Sequence, residues 1–157
     1  MPRRRIPIHT SVWIDTPRER VWNVLIDLDR QTIWMRDAID IRLLGPGPLR
    51  LGTRLEVPTR VTLLRITDVL EVTGFDPPIR FAVRHEGPVR GEGEFMLIKD
   101  GDATELHWTE ELEPPFGVLG EIALSVLAPI IRRTFRRDLR RLRRLVEHDL
   151  RRDTATG

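Results

Sequence analysis

Apolar and polar residues alternate along Ile8, Thr10, Val12 and Ile14, set against His9, Ser11 and Trp13. That period of two predicts a strand over 8–14. Asp15-Thr16-Pro17-Arg18-Glu19 follows, with Thr16 placed to cap a helix, Pro17 in its first turn and Glu19 three residues after Thr16. This spacing is a capping box. Val21, Leu25 and Leu28, with Trp22 and Ile26 beside them, predict a helix of about three turns with a wide apolar face. A short second helix is expected over Gln31 to Arg36. The period then returns to two, and six more strands are predicted at 39–44, 53–58, 61–73, 79–86, 91–99 and 104–112. Between them stands turn chemistry: Gly45-Pro46-Gly47-Pro48, Pro58-Thr59, Asp76-Pro77-Pro78, Gly87-Pro88 and Asp100-Gly101-Asp102. Such short links favour antiparallel neighbours.

Glu113-Pro114-Pro115 ends the last strand, and a helix is expected from about Gly117 to Arg151. Its second half carries a stripe of Phe135, Leu139, Leu142, Val146 and Leu150, with Arg at most other positions. Its first half is apolar nearly all round, from Val118 to Ile131, which predicts burial on more than one side. Pro129 cannot donate to the Ser125 carbonyl, so a kink is expected there. The whole reads as one α+β domain over 1–157: a curved seven-stranded antiparallel sheet wrapped around a long C-terminal helix, with two short helices after strand 1. The last few residues are expected to be disordered.

Composition narrows the chemistry. The 157 residues include no Cys, so disulfides, thiolate nucleophiles and Cys-based metal centres are excluded. Lys99 is the single lysine; the other 25 basic residues are Arg. Residues 132–153 hold ten Arg against Asp138, Glu147, Asp149 and Asp153, a net of +6, which leaves −4 on the rest. Segregated charge of this kind can mean an anionic partner. Asp138 with Arg141, and Glu147 with Arg143 and Arg151, instead suggest a solvated helix face laced by ion pairs, and that reading is preferred. No aromatic residue interleaves with the arginines, so nucleic acid is not expected. The apolar stretch from Phe116 to Ile131 contains Glu121 and Pro129 and falls short of the roughly 20 residues of a membrane span. With no signal-peptide pattern at the N-terminus, a cytoplasmic location is expected. Oligomeric state stays open between monomer and homodimer.

Several stretches together resemble the START-like helix-grip (SRPBCC) superfamily, in its polyketide cyclase/dehydrase-like branch. They are Asp15 to Trp22 with Asp27 and Trp34 downstream, Leu51-Gly52-Thr53-Arg54, Val72 to Phe81, Asp100 to Trp108, and the Arg-rich last helix. Ala103 departs from the glycine that relatives often carry in that turn. The resemblance covers nearly the whole chain and marks the corners of the fold rather than a catalytic motif. It implies a hydrophobic pocket between sheet and long helix; in the binding reading, loop 44–52 and the second short helix are expected to gate entry. Members bind lipids, sterols, polyketides or hormones; a few catalyse cyclisation or dehydration, and some act on membrane-bound quinones. Fold alone does not choose among these.

The expectation is therefore binding of a hydrophobic small molecule of lipid, polyketide or aromatic type. A polyketide aromatase/cyclase or dehydratase is the alternative, and a membrane-surface lipid or quinone carrier a further one. Expected sheet-side contacts are Trp34, Leu64, Ile66, Phe81, Val83, His85, Phe95, Trp108 and Glu110. Expected helix-side contacts are Leu119, Ile122, Ala123, Val126 and Leu127. Weak contact of the Arg-rich helix with an anionic membrane is kept open. His85 is in phase with Ile79, Phe81 and Val83, so it is a candidate acid or base; the plainer reading is a strand-end histidine at the rim. Glu110 is in phase with Leu106, Trp108 and Leu112, where an unpartnered carboxylate is costly. A bulge or an ion pair is its plainer reading. Asp68, in phase with Leu64, Ile66 and Leu70, is expected to be turned outward by a bulge. The four histidines lack metal-ligand spacing, Gly91-Glu92-Gly93 is not a phosphate loop, and no Gly-x-Ser-x-Gly occurs. No metal or cofactor is called for.

Overall fold

A computed structural model describes residues 4–61 and 63–156. Its order is β1 (Ile6–Ile14), α1 (Arg18–Leu25), α2 (Leu28–Trp34), β2 (Arg42–Leu44), β3 (Arg54–Val61), β4 (Leu64–Asp76), β5 (Arg80–His85), β6 (Arg90–Asp100), β7 (Ala103–Glu113) and α3 (Gly117–Ala155). The seven strands form one antiparallel sheet in the order β1-β7-β6-β5-β4-β3-β2. Strands β2 to β7 meander through short turns, and β1 closes against β7 over Ile6–Ile14. Helices α1 and α2 carry the chain from one edge of the sheet to the other. The fold class expected from the sequence is the one observed.

Local differences have physical causes. The capping box does not form: the Thr16 hydroxyl donates to the Asp15 carbonyl at 2.7 Å, and Pro17 takes the N-cap position. Thr16 is buried, and its own carbonyl accepts from the Thr104 hydroxyl at 2.8 Å, tying the start of α1 to β7. The strand expected at 39–44 shrinks to Arg42–Leu44, with an isolated bridge between Ala38 and Thr59. The turn expected at Pro58-Thr59 is strand instead. Regular pairing with β2 stops at Glu56; beyond it, among the described residues, only the isolated bridge faces this side of β3, with the Ile39 N–H donating to the Pro58 carbonyl at 2.8 Å, so the missing Pro58 N–H breaks no regular ladder there. Helix α3 continues through Pro129 and runs four residues past Arg151, across the tail expected to be disordered.

The core lies on the concave face of the sheet. An aromatic path crosses it from α3 to α1. Phe135 stacks on Trp108 with centroids 3.9 Å apart; Phe95 follows at 4.9 Å, then Phe81, Phe75 and Trp22. Trp34 of α2 meets Phe95 and Trp108 edge-on. The second half of α3 buries Leu139, Leu142 and Val146 against the same core. Asp138 is buried there too, held by Arg141 at 2.7 Å. Burial and the neighbouring Asp37 push its pKa up to about 6, against the pull of Arg141 and the Arg36 backbone N–H.

The first half of α3 overturns the expectation of burial on several sides. Only one face, with Leu124, Ala128 and Ile131, meets the sheet, over Ile8 and Leu112, while Gly120 is buried against Pro115. Leu119, Ile122 and Val126 are 78%, 58% and 68% exposed; Ala123 and Leu127 are also exposed. The reason is coverage. Helices α1 and α2 are short, and their ion pairs, Arg20–Asp153 and Arg30–Asp149 (2.7 Å), hold them at the far end of α3. Nothing among the described residues covers the outer side of 118–130.

Truncation should separate the two halves. Phe135→Ala removes the ring stacked on Trp108 and should cost about 3 kcal/mol in urea unfolding. Val126→Ser on the outer face should stay within about 0.5 kcal/mol of the parent.

Candidate functional site

Three ionisable side chains meet on the concave face although they come from three strands. His85 ends β5, Asp68 lies on β4 and Glu110 on β7. His85 Nδ1 is 2.5 Å from Asp68 Oδ2, and His85 Nε2 is 3.1 Å from Glu110 Oε2. Trp108 Nε1–H donates to the other Glu110 oxygen at 2.9 Å. Asp68 Oδ1 accepts the backbone N–H groups of Val69 and Gly87, both at 3.0 Å. The cluster is mostly buried yet reaches the surface, the side chains of His85, Asp68 and Glu110 being 17%, 15% and 8% exposed.

Strand β6 runs between His85 and Glu110, and glycine makes the contact across it feasible. Gly93 pairs with Val83 on one side and Glu110 on the other. A Cβ there would sit 2.5 Å from Glu110 Oε1. Gly91 likewise pairs with His85, so the row of side chains on this face is interrupted where the imidazole reaches over. Gly91-Glu92-Gly93 is thus a gap in a strand.

The electrostatics follow from this geometry. Burial lowers the His85 pKa, but the hydrogen bonds and charges of Asp68 and Glu110 more than reverse it, to about 10. His85 is therefore an imidazolium at neutral pH. Both of its N–H groups are taken, so it is not a free base. The three groups together carry one net negative charge. The oxygens of Glu110 and Asp68 keep lone pairs that can accept a further hydrogen bond, from a hydroxyl for instance.

The alternation puts His85 and Glu110 in phase with the apolar face, and the structure joins them directly. Asp68 departs from expectation. A bulge exists in β4, but between Val72 and Gly74, beyond Asp68, so Asp68 stays on the inner face and Phe75 is re-aimed toward Phe81. Phe81, Val83, Phe95, Trp34 and Trp108 are buried around the same face, and Ile66 is half-buried. The side chain of Leu64 lies outside the described residues. Leu119, Ile122, Ala123, Val126 and Leu127 are not brought to this face; they point out from α3. Directly beneath α3 the space is filled by Trp108 and Phe135.

Two polar atoms that the sequence does not mark add to the site. Trp34 is fully buried, and its Nε1–H has no partner. The Thr10 hydroxyl, opposite Trp108 on β1, is also buried and unpartnered. Buried donors are rarely left so without a reason. No local sequence signal marks either; only the packing of Trp34 against Phe95 and Trp108 does. A depression of about 370 Å³ opens beside α2, lined by Ile26, Leu28, Ile41, Leu43 and Leu49 among others. It lies between α2 and the segment leading from β2 to β3, the pair expected to act as a gate.

His85 links to pH with a definite sign. Its folded pKa lies above the unfolded value near 6.5, so its stabilisation is complete below about pH 6.5 and is lost toward pH 10. Relative to His85→Gln, the protein should show its largest stability advantage near pH 6, shrinking steadily to pH 10 in urea unfolding. An advantage that does not change with pH would mean that His85 is not held charged.

Comparison with known proteins agrees with this architecture. No curated protein matches the chain. Among solved structures, TTHA0849 from Thermus thermophilus is 17% identical, with a TM-score of 0.78, over 92% of this chain and 99% of that one. The Zhui aromatase/cyclase from Streptomyces sp. R1128 is 19% identical, TM-score 0.78, over 93% of this chain and 96% of that one. The di-domain ARO/CYC StfQ of the steffimycin biosynthetic pathway is 9% identical, TM-score 0.76, over 93% of this chain and 52% of that one. At these identities the likeness is one of fold. A family profile described as polyketide cyclase/dehydrase and lipid transport matches residues 5–147. The chain belongs to that polyketide cyclase/dehydrase and lipid transport family.

Proposed function

We propose that the concave face binds an apolar small molecule of lipid, polyketide or aromatic type that carries at least one oxygen function. The observation behind this reading is the Asp68–His85–Glu110 cluster, set among Phe81, Val83, Phe95 and Trp108. Three charges on an apolar face are costly to desolvate, and apolar residues of similar size would serve the fold as well or better. What apolar residues would not supply is a hydrogen-bond acceptor. Glu110 and Asp68 suit a ligand hydroxyl, and the unpartnered Trp34 indole N–H suits a carbonyl. The aromatic rings supply most of the affinity by burial, and the polar groups select. Access runs through the depression between α2 and the β2–β3 segment, which requires α2 and Trp34 to yield.

A second reading is turnover, as in an aromatase/cyclase or dehydratase. The same cluster favours it. A carboxylate beside an imidazolium can take a proton from carbon next to a carbonyl, while the imidazolium keeps the cluster close to neutral. In a cyclisation with dehydration, that carbon bonds to a second carbonyl carbon and the proton passes to the new alkoxide, giving a hydroxyl; a second proton from the same carbon then leaves with that hydroxyl as water, and a carbon–carbon double bond forms. The Zhui aromatase/cyclase and StfQ share the fold that would house such a step.

Native mass spectrometry compared with the denatured mass tests occupancy directly, and a retained apolar adduct is the expected result. A thermal-shift screen against hydroxylated aromatics, sterols and fatty acids follows, since a binder at about 100 times its Kd adds about 2.7 kcal/mol of stability. Glu110→Gln should weaken a hydroxylated binder by about tenfold or more and leave its deoxy analogue nearly unaffected. Equal loss for both would mean that Glu110 only supports the fold. A ligand released lighter by one water would select the turnover reading.

A further inference from the structure

The outer face of α3 changes character at one point along its length. Phe116, at its start, is 90% exposed, and Leu119, Ile122, Val126, Leu127 and Ile130 follow it in the open. Steps of three and four residues carry the same helical stripe on to Arg133, Arg137, Arg140 and Arg144. Those positions are exposed as well. No acidic residue falls on the stripe from Phe116 to Arg144. Glu121 lies off it, paired with Arg4 at 3.0 Å, and Asp138 is buried on the opposite side. Among the described residues none of Arg133, Arg137, Arg140 and Arg144 forms an ion pair, whereas Arg141 and Arg143 do.

We propose that this stripe is a docking surface for an anionic membrane. Its apolar half is a contiguous patch of large side chains, which a protein surface carries at a cost unless something covers it. The patch spans residues 119–130, about 18 Å of helix at 1.5 Å per residue. Its basic half supplies four unpaired guanidinium groups in line with the patch, in the right place for phosphate headgroups when the apolar half sits at the acyl boundary. Charge decides between lipid and a second copy of the chain. Residues 132–153 carry a net of +6, so two copies laid along α3 would bring like charge together, while an anionic leaflet neutralises it. The surface faces away from the concave site, and the proposal does not depend on what that site holds.

Flotation with phosphatidylcholine vesicles, with and without phosphatidylglycerol, tests it on the whole chain. The protein should float with the anionic vesicles at low salt and not with pure phosphatidylcholine. Binding should fall sharply at about 1 M salt, where the Debye length is about 3 Å. Arg133→Gln/Arg137→Gln should weaken partitioning roughly thirty-fold, at about fivefold per basic residue. Ile122→Ser/Val126→Ser should weaken it comparably while leaving the thermal midpoint unchanged, since both side chains are exposed. No binding to anionic vesicles at low salt overturns the proposal. So does a stable dimer in light scattering that Ile122→Ser/Val126→Ser splits, because the second copy would then be what covers the face.

Discussion

Trp108 is the residue on which the fold and the candidate site both turn. Its ring lies flat against Phe135 at 3.9 Å, which fastens the long helix to the concave sheet. Its edge meets Trp34, which fixes the second short helix. Its Nε1–H is aimed at Glu110, which orients the carboxylate toward His85. An aromatic pair contributes beyond its buried area, and a buried indole needs an acceptor for its N–H. One side chain meets both demands at once, so packing that holds the helix also holds the polar cluster in register.

The cluster carries the tension that the rest of the sheet lacks. A neutral histidine between two carboxylates would leave two negative charges on an apolar face. A protonated one leaves a single net charge and satisfies every N–H, and so the proton is retained well above neutral pH. The glycines of β6 are what allow this, because any side chain at Gly93 would occupy the place of the Glu110 carboxylate. Near the same aromatic rings the buried Trp34 indole N–H is a donor without a partner. The ligand proposed for this face, an oxygenated apolar molecule, would meet acceptors on Glu110 and Asp68 and a donor on Trp34 among aromatic rings.

Much of this is legible in the sequence, and the departures share a cause. Period-two alternation locates all seven strands, and it gives the phases of His85 and Glu110 because β5 and β7 are regular over their length. Asp68 escapes it because a bulge's position depends on strand pairing. The alternation from Ile66 to Val72 is unbroken, and the irregularity begins only after Val72. Pro58 looks like a turn because pattern alone does not reveal that β2 stops short and that, among the described residues, only an isolated bridge faces this end of β3. The first half of α3 misleads for a related reason. Apolar residues all round a helix suggest burial all round, whereas no element among the described residues covers the outer side. The Trp34 and Thr10 orphans have no signal in the sequence, since an unpartnered donor is a property of packing.

The ionisation of His85 decides whether the cluster holds together as described. A long-range proton–nitrogen correlation spectrum of nitrogen-labelled protein reads the state of each imidazole ring directly, with His85→Gln supplying the assignment. At pH 8 the His85 ring is expected to show both nitrogens protonated, whereas in the urea-unfolded chain at the same pH it shows the neutral form. A neutral His85 ring in the folded protein at pH 8, with one nitrogen bare, would contradict the charged Asp68–His85–Glu110 cluster and the binding role proposed from it.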